Sequence, residues 1–112
     1  MVDKARLIHE TANGLIQECY EDYVGIWLIV GSFEMKYPNR YFSDEEIREM
    51  ALEVIREMLG NPDIRAGTYD DRGFAPWELS TDQVLARIKS AWIALGVRSP
   101  HPFLIVTLVA WP

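Results

Sequence analysis

A chain of 112 residues, 49% hydrophobic and 12% aromatic, is long enough for one domain with its own core and too apolar for a disordered tail. Its net charge is −6, with no cluster of lysine and arginine, which argues against nucleic acid because that affinity draws on neutralised phosphates. Cys19 is the one cysteine and cannot close an internal disulfide, so a reducing, cytoplasmic setting is expected.

The start, Met1-Val2-Asp3-Lys4, lacks the basic head and apolar stretch of a secretory signal. Asp3 suits the N-cap of a first helix. Leu7 and Ile8, Thr11 and Ala12, Leu15 and Ile16, then Cys19 and Tyr20 recur along it at helical spacing. Gly14 weakens this helix by about 1 kcal/mol relative to alanine, and close approach of a neighbouring element is the expected reason. The longest apolar run, Val24 to Phe33, reaches about half the length of a membrane span, so no membrane is expected. Two readings of it stay open. Gly25 to Gly31 is β-branched and aromatic enough for a buried strand, whereas Tyr23, Trp27, Val30 and Glu34 keep a helical step. A second helix from Asp22 to Met35 is the preferred reading, and Pro38-Asn39 ends it.

Ser43-Asp44-Glu45-Glu46 forms a capping box, with Phe42 and Ile47 placed as a hydrophobic staple. Ile47, Met50, Ala51, Val54, Ile55, Met58 and Leu59 make the apolar stripe of a third helix, closed by Gly60-Asn61-Pro62. Ile64 to Tyr69 and Phe74 to Leu79 are extended runs around Asp70-Asp71-Arg72-Gly73, the pattern of a hairpin. Pro76 lacks a ladder donor and pushes its strand to an edge. Ser80-Thr81-Asp82-Gln83 is a second capping box, with Leu79 and Val84 as its staple. Val84, Leu85, Ile88, Ala91, Trp92 and Leu95 share a face, and Gly96 suits a left-handed cap. After the rigid bend Ser99-Pro100-His101-Pro102, Phe103 to Trp111 reads as a last strand, beside the hairpin or beside Ile26 to Val30. The expected fold is α+β and helix-dominated: three N-terminal helices, a hairpin, a fourth helix and a C-terminal strand. That order is similar to the winged-helix arrangement. Trp27, Trp92 and Trp111 are assigned to the core, and Trp77 to packing against the fourth helix.

Gly73-Phe74-Ala75-Pro76-Trp77, followed by Arg87-Ile88, Trp92, Leu95-Gly96, Arg98 and Pro100, resembles a pattern near the C-terminus of small uncharacterised bacterial proteins, G-F-x-x-W … R-I-x-x-x-W-x-x-L-G-x-x-P. The resemblance spans roughly the last third to half of the chain and departs from the pattern after Arg98. Some relatives of those proteins look like immunity proteins that bind and neutralise a bacterial toxin. The resemblance thus implies a bacterial origin and a protein partner.

Function is sought in charge and exposed aromatics, because no nucleophile pair, phosphate loop or metal spacing appears. His9, Cys19 and His101 are not at ligand spacing, so no catalytic group, metal or cofactor is assigned. Glu45, Glu49, Glu53 and Glu57 recur every four residues on the third helix, so they form one row drifting by about 40° per step. Glu45–Arg48 and Glu53–Arg56 are candidate i,i+3 pairs that would soften the repulsion. The row is either a solvated face or a landing surface for a basic protein, such as a toxin domain. Aromatic anchors would come from Tyr41 before that helix and Tyr69 in the hairpin, beside Asp70 and Asp71. Adjacent aspartates before glycine are also ordinary turn chemistry. A winged-helix-like regulatory domain is the alternative, and it requires Arg48, Arg56, Arg65 and Arg72 to gather on one face. Monomer and homodimer both remain open.

Overall fold

The computed structural model describes residues 2–102 and 104–112. Each helix begins where the chain supplies a donor-satisfying start. Asp3 accepts from the Arg6 amide and opens α1 (Lys4–Cys19), whose buried positions Leu7, Thr11, Ala12, Leu15 and Cys19 repeat at three and four residues. The run after Tyr23 is helical, as α2 (Ile26–Lys36), but it starts four residues later than expected. The reason is Val24. It exchanges two backbone hydrogen bonds of 2.8 Å with Leu108, so the chain is extended there before it coils.

Both capping boxes are formed. Ser43 and Glu46 open α3 (Asp44–Leu59), and Ser80 and Gln83 open α4 (Thr81–Leu95). Gly96 ends α4 at φ 66°, the left-handed conformation glycine adopts without cost. Trp92 donates from Nε1 to the Val97 carbonyl at 2.8 Å and fixes the turn that follows. Phe42 and Ile47 are buried as a staple pair at α3, whereas Leu79, placed to staple α4, is exposed. Leu95 is exposed too, so the buried stripe of α4 stops at Trp92.

Strands β1 (Ile64–Asp70), β2 (Gly73–Pro76) and β3 (Thr107–Ala110) form an antiparallel sheet in the order β2-β1-β3. Pro76 does lie on an edge strand. The last strand pairs with β1, on the side away from β2, and Val24 adds one bridge on the other edge of β3, opposite Leu108. Of the strand expected from Phe103 to Trp111, only Thr107–Ala110 forms: Leu104 and Ile105 bend before it, Trp111 lies beyond it, and Phe103 lies outside the described residues. Side chains alternate across the sheet. Ile64, Ala66 and Leu108 therefore turn inward with Val24 to meet the helices, and Tyr69, Phe74 and Val109 take the other side.

The helix α3 is the centre of the molecule: it packs on α1, α2, α4 and β1. Its residues Ile47, Met50, Ala51, Leu52, Val54, Ile55 and Met58 are buried, and they join Ile29, Val30, Phe33, Ile88 and Trp92 in one core. Two tryptophans assigned to that core lie outside it. Trp27 is 42% exposed because α2 turns Ile29, Val30 and Phe33 inward instead, and Trp111 is 36% exposed at the end of the sheet. Gly14 also differs from expectation: a methyl group there would meet nothing within 4 Å.

Candidate functional site

Burial of one side of α3 decides where its carboxylates point. With Ile47, Val54, Ile55 and Met58 turned into the core, Glu45, Glu49, Glu53 and Glu57 all face solvent. The capping box holds the first turn of this helix, and four neighbouring elements hold the rest, so the row is presented on a rigid support.

The neighbouring helices contact this row unevenly. Glu57 accepts from His9 Nδ1 of α1 at 3.1 Å, and Asn13 Nδ2 lies 3.2 Å from the other ring nitrogen, contacts that suit the Nδ1–H tautomer. Glu49 accepts from Lys89 Nζ of α4 at 3.1 Å. Among the described residues Glu53 pairs with Arg56 alone, its Nε 3.9 Å away, while the same guanidinium makes a closer bond of 3.0 Å to Asp82. Glu45 has no ion pair among the described residues, because Arg48 leans instead to Glu49 at 3.7 Å. The expected Glu45–Arg48 pair is therefore replaced. Glu45 and Glu53 are the least compensated members of the row.

A shallow groove of about 320 Å³ runs along the α1 side of the row, lined by Lys4, Ile8, Ser43, Glu45, Glu46, Glu49, Met50 and Glu53. Its surface is mostly carbon, with Ile8 and Met50 at the bottom and carboxylates along the rim. Lys4 closes one part of that rim by donating to Glu46 at 2.7 Å. That bond, with the Ser43 amide, holds the Glu46 carboxyl down to about 2. On the opposite side a hollow of about 310 Å³ contains Arg56 and Lys89 among its acids and is closer to neutral.

The remaining candidates occupy two places. Tyr41 is 57% exposed in the turn leading to α3, its ring 5.2 Å from Tyr37 and 5.0 Å from Phe42. Tyr69 is 41% exposed and belongs to a different surface: it rises from the outer face of the sheet and packs on Tyr23 at 4.6 Å. Phe74 and Trp111 extend that aromatic layer, 5.0 Å apart. Asp70 accepts from the Arg72 amide at 2.8 Å and so shapes the hairpin turn, with Asp71 exposed beside it. Trp77 donates to Thr68 at 2.9 Å and lies under the Arg87 guanidinium of α4, 3.9 Å from the ring centre. Tyr41 thus stands in the turn before α3, packed on Tyr37 and Phe42, whereas Tyr69, Asp70 and Asp71 sit on the hairpin and its outer face.

The arginines named for a regulatory domain do not pool their charge. Arg48 lies beside Glu49, Arg56 beside Asp82, Arg65 beside Glu78 and Arg72 beside Asp70, at 3.0 to 3.7 Å. Among the described residues no three of His, Cys, Asp and Glu meet in a way that could hold a metal ion. No helix among them is long and apolar enough to cross a membrane. Lys4, His9 and Lys89, which meet the row or its helix, carried no signal of that role in the sequence. Comparison of the chain with protein-family models, with curated proteins and with solved structures finds no match.

Proposed function

We propose that this chain is a non-enzymatic protein-binding module of the bacterial cytoplasm, an immunity protein that neutralises a toxin by covering a basic surface with the acidic face of α3. The supporting observation is the solvent-facing row Glu45–Glu57 on the helix that four other elements hold in place. A fixed row of like charge raises encounter rates and rejects acidic competitors more than it adds affinity. Tyr41, exposed in the turn before α3, supplies an aromatic anchor. The single thiol is buried at Cys19 and is compatible with a reducing compartment.

The test is growth rescue. If the reading frames beside this chain's gene include a toxin with a basic domain, cells expressing that domain should survive when the chain is co-expressed, and a neighbourhood without such a toxin counts against the reading. The double substitution Glu45→Lys with Glu53→Lys should abolish rescue, since neither residue ties α3 to another helix. Equal rescue by the variant, at equal abundance, would remove the acidic face from the mechanism. Absence of rescue by the unaltered chain would remove toxin neutralisation.

A further inference from the structure

Given that reading of the acidic face, the groove beside it identifies the kind of element that occupies it. We infer that the groove between α1 and α3 receives a basic amphipathic helix of the partner, one apolar side chain entering over Ile8 and Met50 while lysines or arginines meet the rim. Charge alone would be served by the row itself, on a flat helix face. The groove adds a carbon floor, formed by Ile8, half-buried on α1, and Met50, buried on α3. Its rim carries Glu45, Glu46, Glu49 and Glu53 against the single cation Lys4, so an incoming cation is attracted and an incoming acid repelled. Two helices lying side by side leave a cleft that a third helix fills, the helix-in-groove mode of recognition. Glu45, Glu49 and Glu53 repeat at about 6 Å along α3, the same step as residues four apart on a partner helix lying alongside. The charges of Glu46 and Glu49 are already held by Lys4 and Lys89, which leaves Glu45 and Glu53 to take the partner's cations.

The experiment uses two synthetic peptides of equal positive charge and about 18 residues, long enough to sustain a helix. One is an amphipathic sequence of lysine and leucine; the other is lysine with serine. Binding to the intact chain is followed by fluorescence anisotropy from low salt to about 0.3 M, and peptide helicity by circular dichroism. The leucine-bearing peptide should bind about tenfold more tightly or better, the worth of one buried apolar side chain. It should gain helix on binding. Ile8→Asn should erase the advantage of leucine while leaving weak, salt-sensitive binding of both peptides. Glu45→Lys with Glu53→Lys should weaken both. Equal affinity of the two peptides, or an advantage that survives Ile8→Asn, overturns the groove but leaves the acidic face standing. Binding without a gain in helicity overturns the helical occupant. Binding that ignores the Glu45 and Glu53 substitutions, or no binding of either peptide at low salt, removes the acidic face together with the groove.

Discussion

The Lys4 ammonium lies 2.7 Å from the Glu46 carboxylate and so ties the first turn of α1 to the first turn of α3, across 42 residues of sequence. Glu46 performs two tasks at once. It returns a hydrogen bond to the Ser43 amide in the capping box, and it carries the charge that holds Lys4. A single substitution separates them. Glu46→Gln retains an acceptor for the Ser43 amide and removes the titrating group.

The folded-state Glu46 carboxyl sits at about 2, below its ordinary value of 4.5, chiefly because Lys4 donates to it. A group lowered in the folded state contributes stability above its unfolded value and loses it as the pH falls towards the folded one. The gap in urea midpoint between the unaltered chain and Glu46→Gln should therefore be constant from neutral pH down to about 5 and close between 4.5 and 2. Taking the difference cancels the parallel loss at Glu10, whose carboxyl is also lowered, by Arg6 and then Lys36. A gap that does not change with pH would place the effect in the cap and not in the ion pair.

Two glycines should respond in opposite directions. At Gly67 an added methyl would run into the Ala75 carbonyl oxygen and come within 2.7 Å of the Phe74 ring, which lies across this position on the outer face of the sheet. Gly67→Ala should cost about 1–3 kcal/mol, as overpacking does. At Gly14 the same methyl enters open space on the exposed side of α1, so Gly14→Ala should add about 0.5–1 kcal/mol through the unfolded chain. Equilibrium urea unfolding of both variants measures this. A destabilised Gly14→Ala would mean that α1 has a neighbour at this point.

Arg98 follows α4, yet its side chain is only 12% exposed and reaches back to the start of α3. Nη1 donates to the Phe42 carbonyl at 3.0 Å and to Asp44 at 2.7 Å, while Glu34 of α2 lies 3.7 Å from Nε. One guanidinium thus joins three parts of the chain. Arg98→Met should lower stability by about 2 kcal/mol, the worth of charge-assisted hydrogen bonds. Arg98→Lys should recover less than half of that, because an ammonium lacks the planar fork. A loss below about 0.5 kcal/mol for Arg98→Met would show these bonds to be exchanged for water without cost.

Arg98 also marks where sequence reading stops. Local chemistry was legible: both capping boxes, the hairpin turn at Asp70 to Gly73, the edge position of Pro76 and the row of four glutamates follow from spacings of two to four residues. Pairing over distance was not. The residues that meet the row or its helix, Lys4, His9 and Lys89, are 40 to 48 residues away from their partners, and no periodicity encodes such contacts. The exposure of Trp27 was hidden for a related reason. The first turns of α2, Ile26 to Val30, are apolar on every side, so their sequence does not say which face α1 and α3 will cover. Val24 is the clearest case, since a strand pairing two residues ahead of Ile26 delays a helix that propensity would have started earlier.

The packing of the last turn of α1 can be read out by the only thiol in the chain. Cys19 is 1% exposed, and burial raises its thiol from 9.0 to about 12, with Glu18 adding to the shift. Alkylation requires the thiolate and access to it, and the folded chain supplies neither at pH 8. Iodoacetamide should therefore leave the native protein unlabelled for hours and modify it completely in urea. Under native conditions the residual rate should follow the population of opened molecules, so that Gly67→Ala labels faster and Gly14→Ala more slowly than the unaltered chain. Mass spectrometry at timed quenches gives the three rates. Native labelling as fast as that of a free cysteine would show that α1 does not close over Cys19, and labelling rates that ignore the two glycine variants would confine the opening to the α1 terminus.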